Sequence, residues 1–305
     1  MRVTDSFRTR SVIDNLNLSK ERMSRLQEQL ATGKRVNRPS DDPIATSRSM
    51  RLRSNLDSNI QYEKNLDDSD GFLSATEGAL NDIHAILLDV RDLALKGAND
   101  TTSPREVIAN ELDLILQNMV EASNTKFRGK YIFAGTETLN TPFTLDQNVF
   151  KHNAVGNVVN YRGNDKAYQR QLNENTIIDL NIPGSKIFDM TQQGGVSLFQ
   201  TIWDLRNSLR ADDGDGVRSV LEKIDTSVDQ VLDAFLTVGT RKQLTYFNQD
   251  RFQSQDILLK ERVSQAEDTD YGQAFVQFKA EENALNSALS AGARVISPSL
   301  LDYLK

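Results

Sequence analysis

The sequence predicts a mainly α chain with a small β-rich insert, built as an elongated helical bundle whose N- and C-terminal helices form coiled coils. Three observations lead there. Leu73, Thr76, Leu80, Ile83, Leu87, Val90 and Ala94 recur at alternating steps of three and four, a heptad that keeps one narrow face apolar. Val217, Leu221, Ile224, Val228, Val231, Phe235 and Val238 repeat the pattern late in the chain. Between them helical spacing lapses, and Ile178, Leu180 and Ile182 alternate with polar residues, the period of a half-buried strand. At 38% hydrophobic and 26% charged over 305 residues, the chain can build a core, but a thin one for its length. That thinness favours long helices over a compact globule.

The elements follow in order. Over residues 6–34, Leu16, Met23 and Leu30 recur every seven residues, with Leu26 and Val12 or Ile13 at the offset positions. This is a coiled-coil seam rather than the broad stripe of a buried helix, and Gly33 ends it. Thr32 to Pro43 holds a glycine, two prolines and several Asx residues, so it reads as a structured loop. Ser40 or Asp41 is the expected N-cap, and Pro43 suits the first helical position. A helix to about Asn65 follows, then the heptad helix, then a loop from Gly97 to Pro104 in which Thr101–Ser103 can cap the next helix. That helix, about 105–124, carries Val107, Leu112, Ile115, Met119 and Val120.

In the insert, Val155-Gly156-Asn157-Val158 and Arg162-Gly163-Asn164 read as hairpin turns. Helices resume at Val196, with Leu198, Ile202, Leu205 and Leu209 on one face and Trp203 beside it. A turn at Asp212–Gly216 leads into the second heptad, and a polar-faced helix is expected from Arg241. Phe275, Phe278, Leu285, Leu289 and Ile296 form the last stripe, broken by Ser297-Pro298 ahead of Leu300, Leu301 and Leu304. The expected divisions are 1–40, an assembly helix and loop; 41–135, a helical rod; 136–190, the insert; 191–264, the returning rod; and 265–305, a C-terminal assembly helix.

Charge separates the two ends. Residues 1–35 hold eight bases and four acids, whereas 265–305 hold three bases and six acids. Two thinly striped helices of opposite charge are natural partners, expected to be ordered only once packed against each other or their neighbours. The whole chain carries a net charge of −7, which argues against nucleic acid as a partner. No stretch approaches the ~18 apolar residues of a membrane span, and the first seven residues lack the apolar core of a Sec-type signal. The absence of cysteine excludes disulfides, thiolate metal sites and thiol chemistry.

No catalytic residues emerge. The two histidines, His84 and His152, lie in different contexts, and neither a nucleophile elbow nor a phosphate-binding glycine loop is present. Asp213, Asp215, Gly216 and Glu222 trace part of a calcium loop, but Ala211 would occupy the first ligand position and Arg218 would add a cation. The expectation is an interhelical turn, with no metal and no cofactor. Asp41/Asp42 and Glu281/Glu282 are adjacent in sequence and cannot straddle a scissile bond.

Four segments carry a resemblance to a known family. Thr32-Gly33-Lys34-Arg35-Val36-Asn37-Arg38-Pro39-Ser40-Asp41-Asp42-Pro43 is similar to the N-terminal signature of the flagellin family, and Thr76-Glu77-Gly78-Ala79-Leu80-Asn81-Asp82-Ile83 to the start of its central helix. Arg128–Gly135 and Ser299–Leu304 resemble the hook–filament junction branch of that family, as does Pro43-Ile44-Ala45 after Asp42. The resemblance covers about 1–135 and 195–305 and little of the insert.

It implies a non-catalytic structural subunit, exported through the flagellar type III channel to the extracellular flagellum. That subunit would be homo-oligomeric, with the first hook-associated protein on the hook side and flagellin on the filament side. An export chaperone would hold its C-terminal segment, and it would not insert into a membrane. The implied assembly interface is Leu16, Met23, Leu26 and Leu30 with Phe278, Leu285, Leu289, Ile296, Leu300, Leu301 and Leu304, and the loop motif is Arg38, Pro39, Ser40, Asp41, Asp42 and Pro43. A flagellin filament subunit is the nearest alternative, and a secreted calcium-binding module on a helical scaffold a more remote one.

Overall fold

A computed structural model describes residues 2–99, 104–152, 156–190 and 195–296. Long helices dominate: α1 (Arg2–Thr32), α2 (Pro43–Ala98), α3 (Arg105–Ser123), α6 (Leu198–Arg210), α7 (Gly214–Glu267) and α8 (Tyr271–Ile296). Between α3 and α6 lie β1 (Lys126–Phe127), β2 (Lys130–Tyr131), β3 (Phe143–Leu145), α4 (Gln147–His152), β4 (Val159–Tyr161), β5 (Gln169–Asn173), β6 (Thr176–Asp179) and α5 (Ser185–Phe188). The mainly α class with a small β-rich insert is thus observed. The chain divides into two compact units, Met1–Asn59 with Ser254–Lys305, and Ile60–Gln253.

Two helices are longer than the sequence suggested. The expected break near Asn65 is absent, and α2 runs unbroken for 56 residues. Its buried face continues backward through Ser69, Leu66, Asn59 and Ser49; the polar residues among them hide the periodicity without breaking the backbone. Ser69 and Ser49 turn their hydroxyls onto the carbonyls of Asn65 (2.6 Å) and Thr46 (3.0 Å), the local back-bonding that lets serine sit in a helix. Likewise α7 extends the second heptad from Val238 through buried Thr245, Asn248 and Phe252 over 54 residues in all.

In the second unit one core unites the helices and the insert. Leu80 and Leu87 of α2, Leu112 and Met119 of α3, Ile202 and Leu205 of α6, and Ile224 and Val231 of α7 share it with Phe133, Phe143 and Phe188. Phe188 is the hub of an aromatic cluster, with ring centroids 5.3 Å from Phe133, 4.8 Å from Phe143 and 5.4 Å from Phe199. The strands pair as three separate two-stranded antiparallel sheets, β1–β2, β3–β4 and β5–β6. Phe143 opposes Tyr161 in the second and Arg170 opposes Ile178 in the third.

The turn of the β5–β6 hairpin is Asn173–Thr176, where Asn173 Oδ1 accepts from Asn175 N at 2.9 Å, an Asx turn. Arg162-Gly163-Asn164, expected as a hairpin turn, instead opens the connection from β4 to β5. There Asn164 packs on Gly135, whose φ of +71° and a clearance of 2.0 Å from a built Cβ to the Asn164 carbonyl oxygen leave room for glycine alone. The expected turn at Val155 and the cap at Thr101–Ser103 fall wholly or partly outside the described residues.

Truncating Phe188 to alanine removes the centre of the aromatic cluster. The expected cost is about 3–5 kcal/mol, read as a lower urea midpoint with unchanged slope. Trp203, the single tryptophan, supplies the signal, since its ring lies 5.9 Å from Phe150 in the same unit. A loss below ~1 kcal/mol would contradict this reading of the core.

Candidate assembly interface

The first unit is organised around two helices from opposite ends of the chain. On α1, Val12, Leu16, Ser19, Met23, Leu26 and Leu30 are buried or half-buried at steps of four and three; on α8, Ala274, Phe278, Glu281, Leu285, Ala288 and Gly292 are so at the same steps. The two sets face each other along one seam. Gly292 lies against Val12 and Leu16, Arg22 Nε donates to Glu281 Oε1 at 2.8 Å, and Gly33 lies under Tyr271. The pair is therefore antiparallel and joined by the charge complementarity of the two ends. Gly292 lets the helices approach closely: a Cβ there would sit 3.1 Å from Val12 Cγ1.

At the far end of the seam the two interhelical turns are strapped together. Gly33, at φ +72°, ends α1 in the left-handed conformation that suits glycine, and its carbonyl accepts from Thr269 N at 2.9 Å. Arg35 N donates to Glu267 O at 2.6 Å, so residues 33–35 and 267–269 form a short antiparallel clip with Lys34 paired to Asp268.

The Glu267 side chain, 8% exposed, takes a bidentate grip from Arg53 and a further bond from Lys34 Nζ at 3.1 Å. Arg35 adds a bond from its guanidinium to the Ala266 carbonyl (3.1 Å). The Arg53 hydrogen bond, reinforced by Lys34 and Ser49, pulls the Glu267 carboxyl down to about 2 against the opposing effect of burial.

The loop motif is a set of local bonds. Asp41 Oδ2 accepts from the backbone N–H of Arg38 (2.9 Å) and Asn37 (3.3 Å). Asp42, rather than Ser40 or Asp41, is the N-cap of α2: its Oδ1 accepts from Ala45 N at 2.9 Å and its carbonyl from Thr46 N at 2.9 Å. Pro43 then occupies the first helical position. The Ala45 amide and the Arg35 guanidinium both draw the Asp42 carboxyl below its ordinary value. Arg38 pairs with Glu28 at 3.5 Å, while Pro39 and Ser40 are exposed at the loop tip.

Leu16, Met23, Leu26 and Leu30 thus lie along the seam, as do Phe278 and Leu285. Leu289 lies off it and is 46% exposed. The side chain of Ile296 and all of Leu300, Leu301 and Leu304 lie outside the described residues. Sequence reasoning missed Glu267, Arg53, Lys34 and Arg35 as a group, because they come from three separate stretches. It also passed over Ala274 and Ala288, although Ala274, Glu281 and Ala288 are spaced by sevens. The acidic turn at 212–216 is occupied otherwise: Asp213 caps α7 through Gly216 N (3.0 Å), Arg105 grips Asp212, and Arg218 pairs with Asp215. Among the described residues no cluster of three or more His, Asp or Glu is placed to hold a metal ion, and no helix is long and apolar enough to cross a membrane.

Helices from the two chain ends closing on each other, with a helical and β-rich unit between them in sequence, define a class of helical structural subunit. Comparison with known proteins places the resemblance within the flagellin family. Residues 7–138 match the bacterial flagellin N-terminal helical region. A flagellar hook-associated protein 3 from Salmonella typhimurium is 28% identical over 199 residues, 64% of this chain and 59% of that protein. A flagellin from Clostridium tyrobutyricum is 30% identical over 127 residues, 41% of this chain and 34% of the relative. The alignments thus span between about a third and three-fifths of these curated relatives. The crystal structure of Bacillus cereus FlgL superposes with a TM-score of 0.59 at 22% identity, covering 70% of this chain and 99% of that one. The fold is therefore like that of FlgL, and the sequence matches are to structural flagellar proteins.

Two predictions follow from the seam and the clip. Because the folded-state Glu267 carboxyl titrates near 2 and an unstrapped glutamate near 4.5, its stabilisation is present at neutral pH and is lost as pH falls from about 4.5 to about 2. Glu267→Gln should cost ~1–3 kcal/mol at pH 7, and its deficit relative to the parent should shrink across that acid window in circular-dichroism unfolding. A deficit constant with pH would contradict the assignment. For the seam, Val12→Cys combined with Gly292→Cys should form an intramolecular disulfide under mild oxidation, visible as a two-hydrogen mass loss. Full retention of both thiols would rule out this register.

Proposed function

We propose that the chain is a structural adaptor subunit of the bacterial flagellum, joining the hook, through the first hook-associated protein, to the flagellin filament. The observation that carries this reading is the antiparallel α1–α8 pair: a thin seam between opposite ends of the chain that leaves Ile13, Leu18, Phe275, Val276 and Leu289 uncovered. A helix pair with apolar residues outside its own seam is suited to packing against further copies. Similarity to a flagellar hook-associated protein 3 over 64% of the chain supports the same assignment.

In this reading the subunit polymerises through its terminal helices, with Leu16, Met23, Leu26, Leu30, Phe278, Leu285 and Leu289 in the assembly region and the loop Arg38–Pro43 holding its elbow. Ile296, Leu300, Leu301 and Leu304 complete the C-terminal contribution. It carries out no catalysis and holds no cofactor. It reaches the extracellular flagellum through the type III channel, with a chaperone on its C-terminal segment until assembly. The match of residues 7–138 to the bacterial flagellin N-terminal helical region favours one other reading, a filament subunit, which differs in abundance: a junction protein is a trace component of sheared filaments and a flagellin is their bulk.

The test is genetic. Cells whose only copy lacks residues 300–305 should grow hooks without filaments and shed flagellin into the medium, scored by electron microscopy and by blotting the culture supernatant. Filaments of normal number and length would overturn the proposal.

A further inference from the structure

We propose that the second unit binds a small carboxylate with an apolar ring, in a cavity enclosed between α2, the β1–β2 hairpin and β5. The cavity measures about 280 Å³. Its floor is apolar: Phe72 and Leu180 are buried, and Phe127 and Tyr168 are half-buried beside them. The Phe72 ring stands perpendicular to that of Phe127, with centroids 6.0 Å apart, and lies 6.2 Å from that of Tyr168. A cavity of roughly 150 Å³ takes a benzene ring, so this one has room for a ring and a short acidic arm.

The mouth is cationic. Arg128, Lys130 and Arg170 line it against the one carboxylate of Asp68, three bases to one acid on a chain whose net charge is −7. Asp68 is gripped by Arg128 and has Arg170 at 3.6 Å, which holds both guanidiniums at the rim. Lys130 pairs with no carboxylate among the described residues. Arg170 is oriented by its bond to the Tyr168 hydroxyl at 3.0 Å, yet its Nε is buried and donates to no group among the described residues. A buried donor left unbonded is costly, and a carboxylate is the kind of acceptor it lacks.

The β1–β2 turn adds an independent observation. Arg128 and Gly129 both have positive φ, +48° and +80°, in a two-residue turn whose first position ordinarily takes asparagine, aspartate or glycine. An arginine there holds strain, and strained backbone gathers at ligand clamps. Its guanidinium is thereby set at the rim, on Asp68.

The same lining selects the ligand. A free phosphate or sulfate gains nothing from Phe72 and Leu180. A sugar needs a partner for each hydroxyl, and the wall offers few beyond Thr136 and Thr138, the first already bonded to Asn164 at 3.2 Å. An arylacetate matches both parts, its ring displacing water from the floor and its carboxylate meeting Lys130 and Arg170. Bound there, it would tie the insert to α2 and raise the melting temperature by linkage.

The test is calorimetric titration of the purified full-length chain with phenylacetate. One saturable site is expected, with acetate, phenethyl alcohol and glucuronate each binding at least about ten-fold more weakly, the factor expected for a lost charge-assisted hydrogen bond or a lost buried ring. Lys130 is exposed and makes no ion pair among the described residues. Lys130→Glu should therefore weaken binding at least about ten-fold while leaving the melting temperature of the unliganded protein unchanged, and Arg170→Gln should weaken it by a similar factor. Absence of saturable binding overturns the proposal. Equal affinity for the alcohol reduces the site to an apolar crevice, equal affinity for acetate to a surface cation, and tighter binding of glucuronate makes it a sugar site; each overturns it likewise. Binding undiminished in both variants lies elsewhere and overturns it too. None of these outcomes bears on the adaptor reading, which the filament count decides.

Discussion

The first unit depends on one carboxylate. Glu267 ends α7, and around it converge Arg53 from the start of α2, Lys34 and Arg35 from the loop after α1, and the backbone clip that joins residues 33–35 to 267–269. A largely buried anion is costly unless it is paired and hydrogen-bonded, and here every pairing group comes from another part of the chain. The two turns, one at each end of the sequence, are thereby held side by side. The antiparallel course of α1 and α8 follows, because α1 ends and α8 begins at that common anchor. Gly33 belongs to the same construction: its left-handed backbone ends α1 and makes space for Tyr271, where a built Cβ would lie 2.4 Å from the hydroxyl oxygen.

Away from this anchor the seam is built from modest contacts. Its α8 side is mostly alanine, glycine and a glutamate, with Leu285 and Phe278 as the larger apolar groups. Small residues bring two helix axes close but bury little area per residue, and burial contributes only about 25 cal/mol per Å². Such a pair holds its register through shape and the Arg22–Glu281 bridge rather than through a large hydrophobic core. The second unit contrasts with it. There the aromatic cluster around Phe188 and the aliphatic faces of four helices make one continuous core, and buried Gln230 ties the Val196 backbone to α7 with bonds of 2.8 and 3.1 Å.

How much of this was legible in the sequence depended on side-chain size. The heptads at Leu73–Ala94 and Val217–Val238 read correctly because large apolar residues fill nearly every seam position. Where serine, asparagine or threonine takes such a position, as at Ser49, Asn59, Ser69, Thr245 and Asn248, the helix continues but its periodicity is invisible, and α2 and α7 were each read as two. The α8 stripe shows the same effect in reverse: Phe275 and Leu289 drew the eye, whereas Ala274, Ala288 and Gly292 carry the close approach. Asp42 escaped as the N-cap because three capping residues stand in a row before Pro43, and only the bond from Ala45 distinguishes them. The Glu267 cluster joins residues more than 200 positions apart, a separation that no local pattern records.

That separation has a kinetic meaning as well. Val12 and Gly292 meet across nearly the full length of the chain, and closing a loop of that size carries an entropic cost that rises with the logarithm of its length. Contacts of high sequence separation form late, so the local helices and the core around Phe188 have every opportunity to organise before α1 finds α8. A folding chain therefore passes through a stage in which its middle is folded before α1 and α8 have paired. During that stage the apolar positions of α1 and α8 are open to any other copy nearby. Whether the ends close on themselves or on a neighbour first is then a matter of concentration, with dilution favouring the chain's own partner helix.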